Sequence, residues 1–189
     1  MTGTIWIGVD PGARHTGVTV RAGRDYLWHA VTTRLDQDVP GYLAAVSQTM
    51  QAAADVAHAS GGAGLWAVEA TGAPKWFMNG KATPVRPVDL IAVAMVEGWV
   101  LNEATALGGN VPPVRVKAGK NGSQALSTYP KQLVTAAEAS RRNRTRTWHQ
   151  PAGKSADINH ARSAWDIAGT AALLARTNRQ GALALGGVR

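Results

Sequence analysis

Three carboxylates in this chain fall where carboxylates are costly. Asp10 closes the apolar run "IWIGVD" and precedes Pro-Gly, Glu69 closes "GLWAVE", and Asp166 sits inside "SAWDIAGTAALL". A charge at the end of a stretch suited to burial needs a counterpart. For Asp10 the candidates are a metal ion, a hydroxyl-bearing ligand, or the amides of its own turn, since Asp before Pro-Gly is also a common turn residue. Glu69 alone could be a solvated strand-end charge. Carboxylates drawn from separate elements suit magnesium, which takes oxygen ligands and keeps several waters beside a phosphate. Two such ions roughly 3.5–4 Å apart can activate a water and stabilise a departing oxygen in phosphodiester cleavage. At about 100° per residue, Asn159 shares the helical face of Asp166, while His160 lies roughly 120° away and Asp157 is opposite. His160 is therefore either an additional ligand reaching in from the first turn or a solvated first-turn histidine. Asp157 reads as the helix N-cap.

The elements that must position these groups follow from periodicity. Residues 4–10, 16–21 and 25–33 read as three strands joined by short turns, an antiparallel meander. Pro40 opens a helix running to Ala59, with Leu43, Val46, Met50, Ala53, Ala54 and Ala57 at helical spacing. A buried strand is expected over residues 64–70, a long apolar helix over 87–107, and a strand over 111–118. Residues 129–140 read as helical, 141–153 as a basic loop, and 157–176 as the final helix. The whole is expected to be one domain over residues 1–178, with a flexible tail over 179–189. The order is mixed α/β, with a meander leading into crossover connections.

Composition narrows the function classes. The chain has 189 residues, 45% of them hydrophobic, and no cysteine, which excludes disulfides and thiolate metal sites. No stretch of roughly 18 apolar residues, the length of a membrane span, is read in the chain, and no basic leader precedes the first apolar stretch, so a soluble cytoplasmic protein without membrane contact is expected. The formal charge of +8 is uneven. Arg115, Lys117, Lys120, Lys131, Arg141, Arg142, Arg144 and Arg146 face the single acid Glu138 in that stretch, whereas in residues 1–70 acids outnumber bases. Such a segment suits a polyanion, and phosphate contacts would make binding steeply salt-dependent. Lys117 and Lys120 flank the glycine loop after residues 111–118 and are the expected contacts to a scissile phosphate. Trp76 and Phe77, in a Gly/Pro-rich loop after Glu69, could stack on or wedge between unpaired bases, or fold back onto the core. Trp6, Trp66, Trp99 and Trp165 lie in apolar elements and are assigned to packing.

The ordered set of motifs resembles the RuvC family of Holliday junction resolvases, of the ribonuclease H-like superfamily. "IGVDPGARHTGVTV" is similar to that family's opening strand-turn-strand, and "WAVEA" to its second acidic strand. "WFMNGKA" falls near its aromatic recognition loop, "VRVKAGKNG" resembles its Lys-containing fifth strand and glycine loop, and "SAWDIAGTAALLA" its closing helix. The resemblance implies a ribonuclease H-like α/β fold with a five-stranded mixed sheet, and Asp10, Glu69 and Asp166 as catalytic metal ligands. It also implies magnesium, with manganese able to substitute, and nicking of branched DNA such as four-way junctions by a homodimer. The apolar helix over 87–107 is the expected dimer contact. One departure stands out: the family carries a fourth ligand three residues before its last aspartate, and here that position is Ser163, a poor neutral ligand. Two other functions stay open, a non-catalytic branched-DNA-binding protein and an RNA-processing nuclease of the same superfamily. The Ala-, Gly- and Trp-rich usage suggests a high-GC genome, actinobacterial or phage.

Overall fold

The computed structural model describes residues 4–35, 38–71, 87–119, 121–141 and 156–186, with backbone alone at 87, 141, 156–157 and 179–186. The meander is formed by β1 (Ile5–Asp10), β2 (His15–Ala22) and β3 (Asp25–Thr33). Then come α1 (Val39–Ala59), β4 (Leu65–Ala70), α2 (Pro87–Leu107) and β5 (Val114–Lys117). Two single 3-10 turns, Leu126–Thr128 and Lys131–Leu133, precede α3 (Ala136–Arg141) and the long α4 (Ala156–Gly186). The sheet order is β3-β2-β1-β4-β5. Pairing is antiparallel for β1 with β2 and for β2 with β3, and parallel for β1 with β4 and for β4 with β5.

Alternation along the strands assigns the two faces of the sheet. Ile5, Ile7 and Val9 of β1, with Trp66 and Val68 of β4, pack under α1 and α2. Trp6 and Ala67 turn the other way, against Ile167, Ala168 and Ala171 of α4. Ile7, Val9, Val18 and Val20 are wholly buried, each contributing about 1.5–3 kcal/mol. By the same parity, Asp10 and Glu69 belong to the α4 face. The parallel register pairs Val9 with Val68, so the two carboxylates sit side by side one rung further on.

Helix α4 can lie close to that face because β1 and β2 offer it glycines. A Cβ at Gly8 would overlap the carbonyl of Ala164, and one at Gly17 the carbonyl of His160. The glycines in "IGVD" and "HTGV" thus set how deeply α4 seats on the sheet, and so how near its first turns come to Asp10.

Helix α1 begins as its sequence dictates. Asp38 accepts a hydrogen bond from the Gly41 N–H at 3.0 Å, a proline stands in the first turn, and Tyr42, Val46, Met50, Ala53 and Ala57 form the buried stripe. Helix α2 buries Val96, Val100 and Ala104 but exposes Val88, Ile91 and Met95. Its stretch 88–107 is long and apolar enough to cross a membrane, with mean hydropathy 1.4, which corrects the expectation that no such segment exists. Its packing on α1 and β4 makes it a layer of this fold.

Several expected boundaries move. The stretch 129–140 is not one helix, because Val134 is extended after the 3-10 turn Lys131–Leu133. Instead α3 starts after Thr135, whose hydroxyl accepts from the Glu138 N–H at 3.2 Å while the Glu138 carboxylate accepts from the Thr135 N–H at 2.9 Å, a capping box. Helix α4 begins at Ala156, so Asp157 lies inside its first turn rather than capping it, and it continues to Gly186, past residue 176 and into the expected tail. β5 is shorter than 111–118, as Pro112 and Pro113 cannot donate to a ladder. Trp6, Trp66 and Trp165 are core residues, but Trp99 is 39% exposed, its indole N–H donating to Ser47 Oγ at 2.9 Å.

Candidate functional site

Asp10 is 8% exposed at the end of β1. Its Oδ2 lies 2.8 Å from His160 Nδ1, on the first turns of α4. The turn reading for Asp10 does not hold, since the Gly12 N–H is directed at Thr16 Oγ1, at 3.5 Å. The Thr16 hydroxyl also bonds Tyr42 OH at 2.7 Å, and Tyr42 OH donates to the Gly12 carbonyl at 2.8 Å. The loop after β1 is therefore pinned from beneath by α1, leaving the Asp10 carboxylate for other partners. His160 stacks on His15, ring centroids 5.4 Å apart, and His15 Nδ1 bonds Thr33 Oγ1 at 3.1 Å.

Glu69 is half-buried on the neighbouring strand, its Oε1 accepting from Asn121 Nδ2 at 2.5 Å. Burial first, and then the negative charge of Asp10, push its carboxyl up to about 7. Two carboxyl groups pressed together in a half-buried place are the arrangement a cation relieves.

Asp166 is held differently. Its Oδ2 accepts from the Gly122 N–H and from Tyr129 OH, both at 2.8 Å, and Tyr129 OH in turn accepts from the Gln124 N–H at 3.0 Å. Burial raises the Asp166 carboxyl, opposed by these donors and by the charge of Arg21. Burial likewise brings Arg21 down to about 10, its guanidinium lying 3.8 Å over the Trp165 ring and donating to the Trp165 carbonyl at 3.0 Å. Ser163 is buried, and a side chain at Gly122 would meet it and Asn159. Asn159 is engaged too, its Oδ1 accepting from Arg162 at 3.0 Å.

The loop following β5 thus reaches both halves, through Asn121 to Glu69 and through Gly122 to Asp166. Asp10, Glu69 and His160 are brought together, while Asp166 and Ser163 face the 122–129 segment. Among the described residues, no group of three or more His, Asp or Glu side chains is arranged to hold a metal ion. Asp10 and Glu69 fit a single hard cation, but Asp166 does not complete the set in this arrangement.

Of the expected nucleic-acid contacts, Lys117 ends β5 and is exposed. Its parity with Arg115, which pairs with Glu97 of α2, puts it on the sheet face opposite Glu69. Lys131 is exposed in the second 3-10 turn. Arg141 ends α3, with its side chain outside the described set. Trp76, Phe77, Lys120, Arg142, Arg144 and Arg146 lie outside the described residues. Sequence reasoning missed Asn121, although it stands in the quoted "VRVKAGKNG". It also missed Tyr42 and Tyr129, whose roles arise from tertiary contacts that no local pattern announces.

No family model matches the sequence, and neither does any curated protein. Among solved structures, Thermus thermophilus RuvC in complex with Holliday junction substrate superposes with a TM-score of 0.56 at 19% identity, covering 92% of this chain and 96% of that one. A second structure of Thermus thermophilus RuvC gives 0.53 at 18% identity, covering 93% and 97%. At this identity the likeness shows the fold, a ribonuclease H-like α/β fold around a five-stranded mixed sheet.

Proposed function

We propose that this protein is a magnesium-dependent endonuclease that resolves Holliday junctions or other branched DNA by hydrolysing phosphodiester bonds. The observation carrying this reading is the Asp10–Glu69 pair, two adjacent strand-end carboxyls with the Glu69 group pushed up by burial and then by its neighbour's charge, in a fold shared with a protein solved on a Holliday junction. Asp10 and Glu69 would hold magnesium, which when bound polarises the phosphate and makes water a better nucleophile. His160 orients the Asp10 carboxylate through Nδ1, and Asn121 orients Glu69. Asp166 would take part after exchanging a donor on its Oδ2, and Ser163 contributes at most through its hydroxyl. Manganese is expected to substitute. A dimer, presenting two sites to a two-fold substrate, fits the exposed Val88, Ile91, Met95 and Trp99 of α2. Sedimentation that shows only monomer at micromolar concentration, with and without junction, would count against it. The principal test is cleavage of matched linear, forked and four-way DNA with and without magnesium, and only the four-way and forked forms should be cut.

A second reading, a non-catalytic branched-DNA-binding protein, draws on the hydrogen bonds that engage Asp166 and the burial of Ser163. Tight junction binding with no cleavage in either metal would favour it.

A further inference from the structure

Beside the Asp10 turn lies an open groove of about 1040 Å³. One wall carries Arg14, His15 and Arg34, the other is the start of α2 with Val88 and Asp89, and His160 lines it as well. His160 is also the partner of Asp10, and Pro11 and Gly12 line the groove too, so it adjoins the Asp10 end of the acidic pair. The Arg34 N–H donates to the Arg14 carbonyl at 2.8 Å, which fixes the two arginines next to each other where β2 begins and β3 ends. Both belong to the half of the chain in which acids outnumber bases, and composition gave no reason to single them out.

The chemistry of the walls suits one kind of occupant. Two guanidiniums on one side bind phosphate oxygens, often bidentately. Across from them Ala92 and Val93 supply an apolar strip that suits sugar edges and base faces. Among the described residues Asp89 is the one acid lining the groove, and its place in the first turn of α2 suits the positive end of that helix. The cationic wall flanks the acidic pair rather than neutralising it, as a polyanion reacting at a metal-binding carboxylate site would require.

We propose that this groove is the track of the cleaved DNA strand beside the acidic pair, with Arg14 and Arg34 binding its phosphates. The inference rests on the endonuclease reading for the identity of the strand, and the test separates the two. A fluorescent four-way junction is titrated with wild type, Arg14→Gln, and the Arg14→Gln/Arg34→Gln double variant over a range of salt without magnesium. Cleavage is scored afterwards in magnesium, and thermal melting checks the fold. Each lost phosphate contact should lower the slope of log affinity against log salt by about one, so the double variant should fall by about two. Arg14 is exposed, and its single variant keeps the test open if the double variant melts early. Unchanged slopes with wild-type cleavage would overturn the groove and leave the endonuclease standing. Reduced slopes in a protein that cuts no DNA would support the groove and overturn the endonuclease. A wild type that binds no DNA would overturn both.

Discussion

Two pairs of ionisable side chains touch the first half of α4, and they are built on opposite terms. Arg162 is wholly buried and fully engaged. It pairs with both Glu138 oxygens, donates through Nε to the Leu133 carbonyl at 2.7 Å, and reaches Asn159 Oδ1 at 3.0 Å. Glu138 in turn accepts from the Thr135 amide and hydroxyl, each at 2.9 Å. Asp10 and Glu69 carry like charge, and around them stand a histidine and an amide side chain. The first pair ties residues 131–141 to α4. The second presses two carboxyls together at a strand end, with no arginine or lysine among the described residues bonded to either, which is how groups arranged for a ligand differ from groups arranged for the fold.

The largest effect should come from breaking the satisfied pair. Arg162→Met leaves Glu138 buried without its cation and should cost about 3–5 kcal/mol of stability. Adding Glu138→Leu should recover most of it. Urea unfolding of the single and double variants measures both, and equal losses in the two would show that packing, not charge, is what Arg162 supplies.

Next comes Asp10→Asn, which keeps the shape and removes the charge. Cleavage should fall by more than about 100-fold while junction affinity stays within a few-fold of wild type. A variant that still cuts at the wild-type rate would return Asp10 to the status of a structural residue.

The Glu69 carboxyl offers a pH-dependent contrast. Its value in the fold, about 7, lies above the ordinary 4.5, so the protonated form favours folding. That stability is fully present below the ordinary value and is lost as pH rises through about 7. With a chelator present, Glu69→Gln should therefore be more stable than wild type at pH 8, by about 1–2 kcal/mol after allowance for solvent screening at a half-buried site. At pH 4 the two should agree. Magnesium should narrow the gap at pH 8 by stabilising wild type alone, and denaturation curves at the two pH values with and without the ion check each part.

The contrast between the two pairs also marks what could be read from the chain. The meander, α1, β4 and α2 announce themselves through alternation, a proline start and a long apolar run, whereas the adjacency of Asp10 and Glu69 follows from the parallel pairing of β1 with β4, which no local pattern announces. The segment 121–141 does not announce itself either, because its shape depends on Arg162, Tyr129 and Asn121 finding partners far away in sequence. Angular arithmetic put His160 off the face of Asp166, which is correct. Yet His160 reaches Asp10 all the same, since β1 and the 122–129 segment approach α4 from different sides. Arg14 and Arg34 stay hidden in composition because the fold, not their neighbours in sequence, brings them to one groove. Trp99 shows the converse: an aromatic in an apolar helix reads as core, although α2 turns that side outward.

The smallest effect, and the one that decides which pair Asp166 belongs with, is expected from Tyr129→Phe. The change removes one of the two donors on Asp166 Oδ2 and leaves the Gln124 N–H without its acceptor, a loss of about 1 kcal/mol in stability. If Asp166 is a metal ligand, the Tyr129 hydroxyl competes with the ion for the same oxygen. Releasing it should then lower the magnesium needed for half-maximal cleavage by about twofold to tenfold, the range set by the net worth of one hydrogen bond. That is the expected result. If Asp166 serves the fold as Glu138 does, the magnesium curve will not move and only the melting temperature will fall. Titrating magnesium against cleavage rate, with thermal melting of the same samples, reads both quantities. An unshifted curve would group Asp166 with the satisfied pair on α4 and leave Asp10 and Glu69 to hold the ion by themselves.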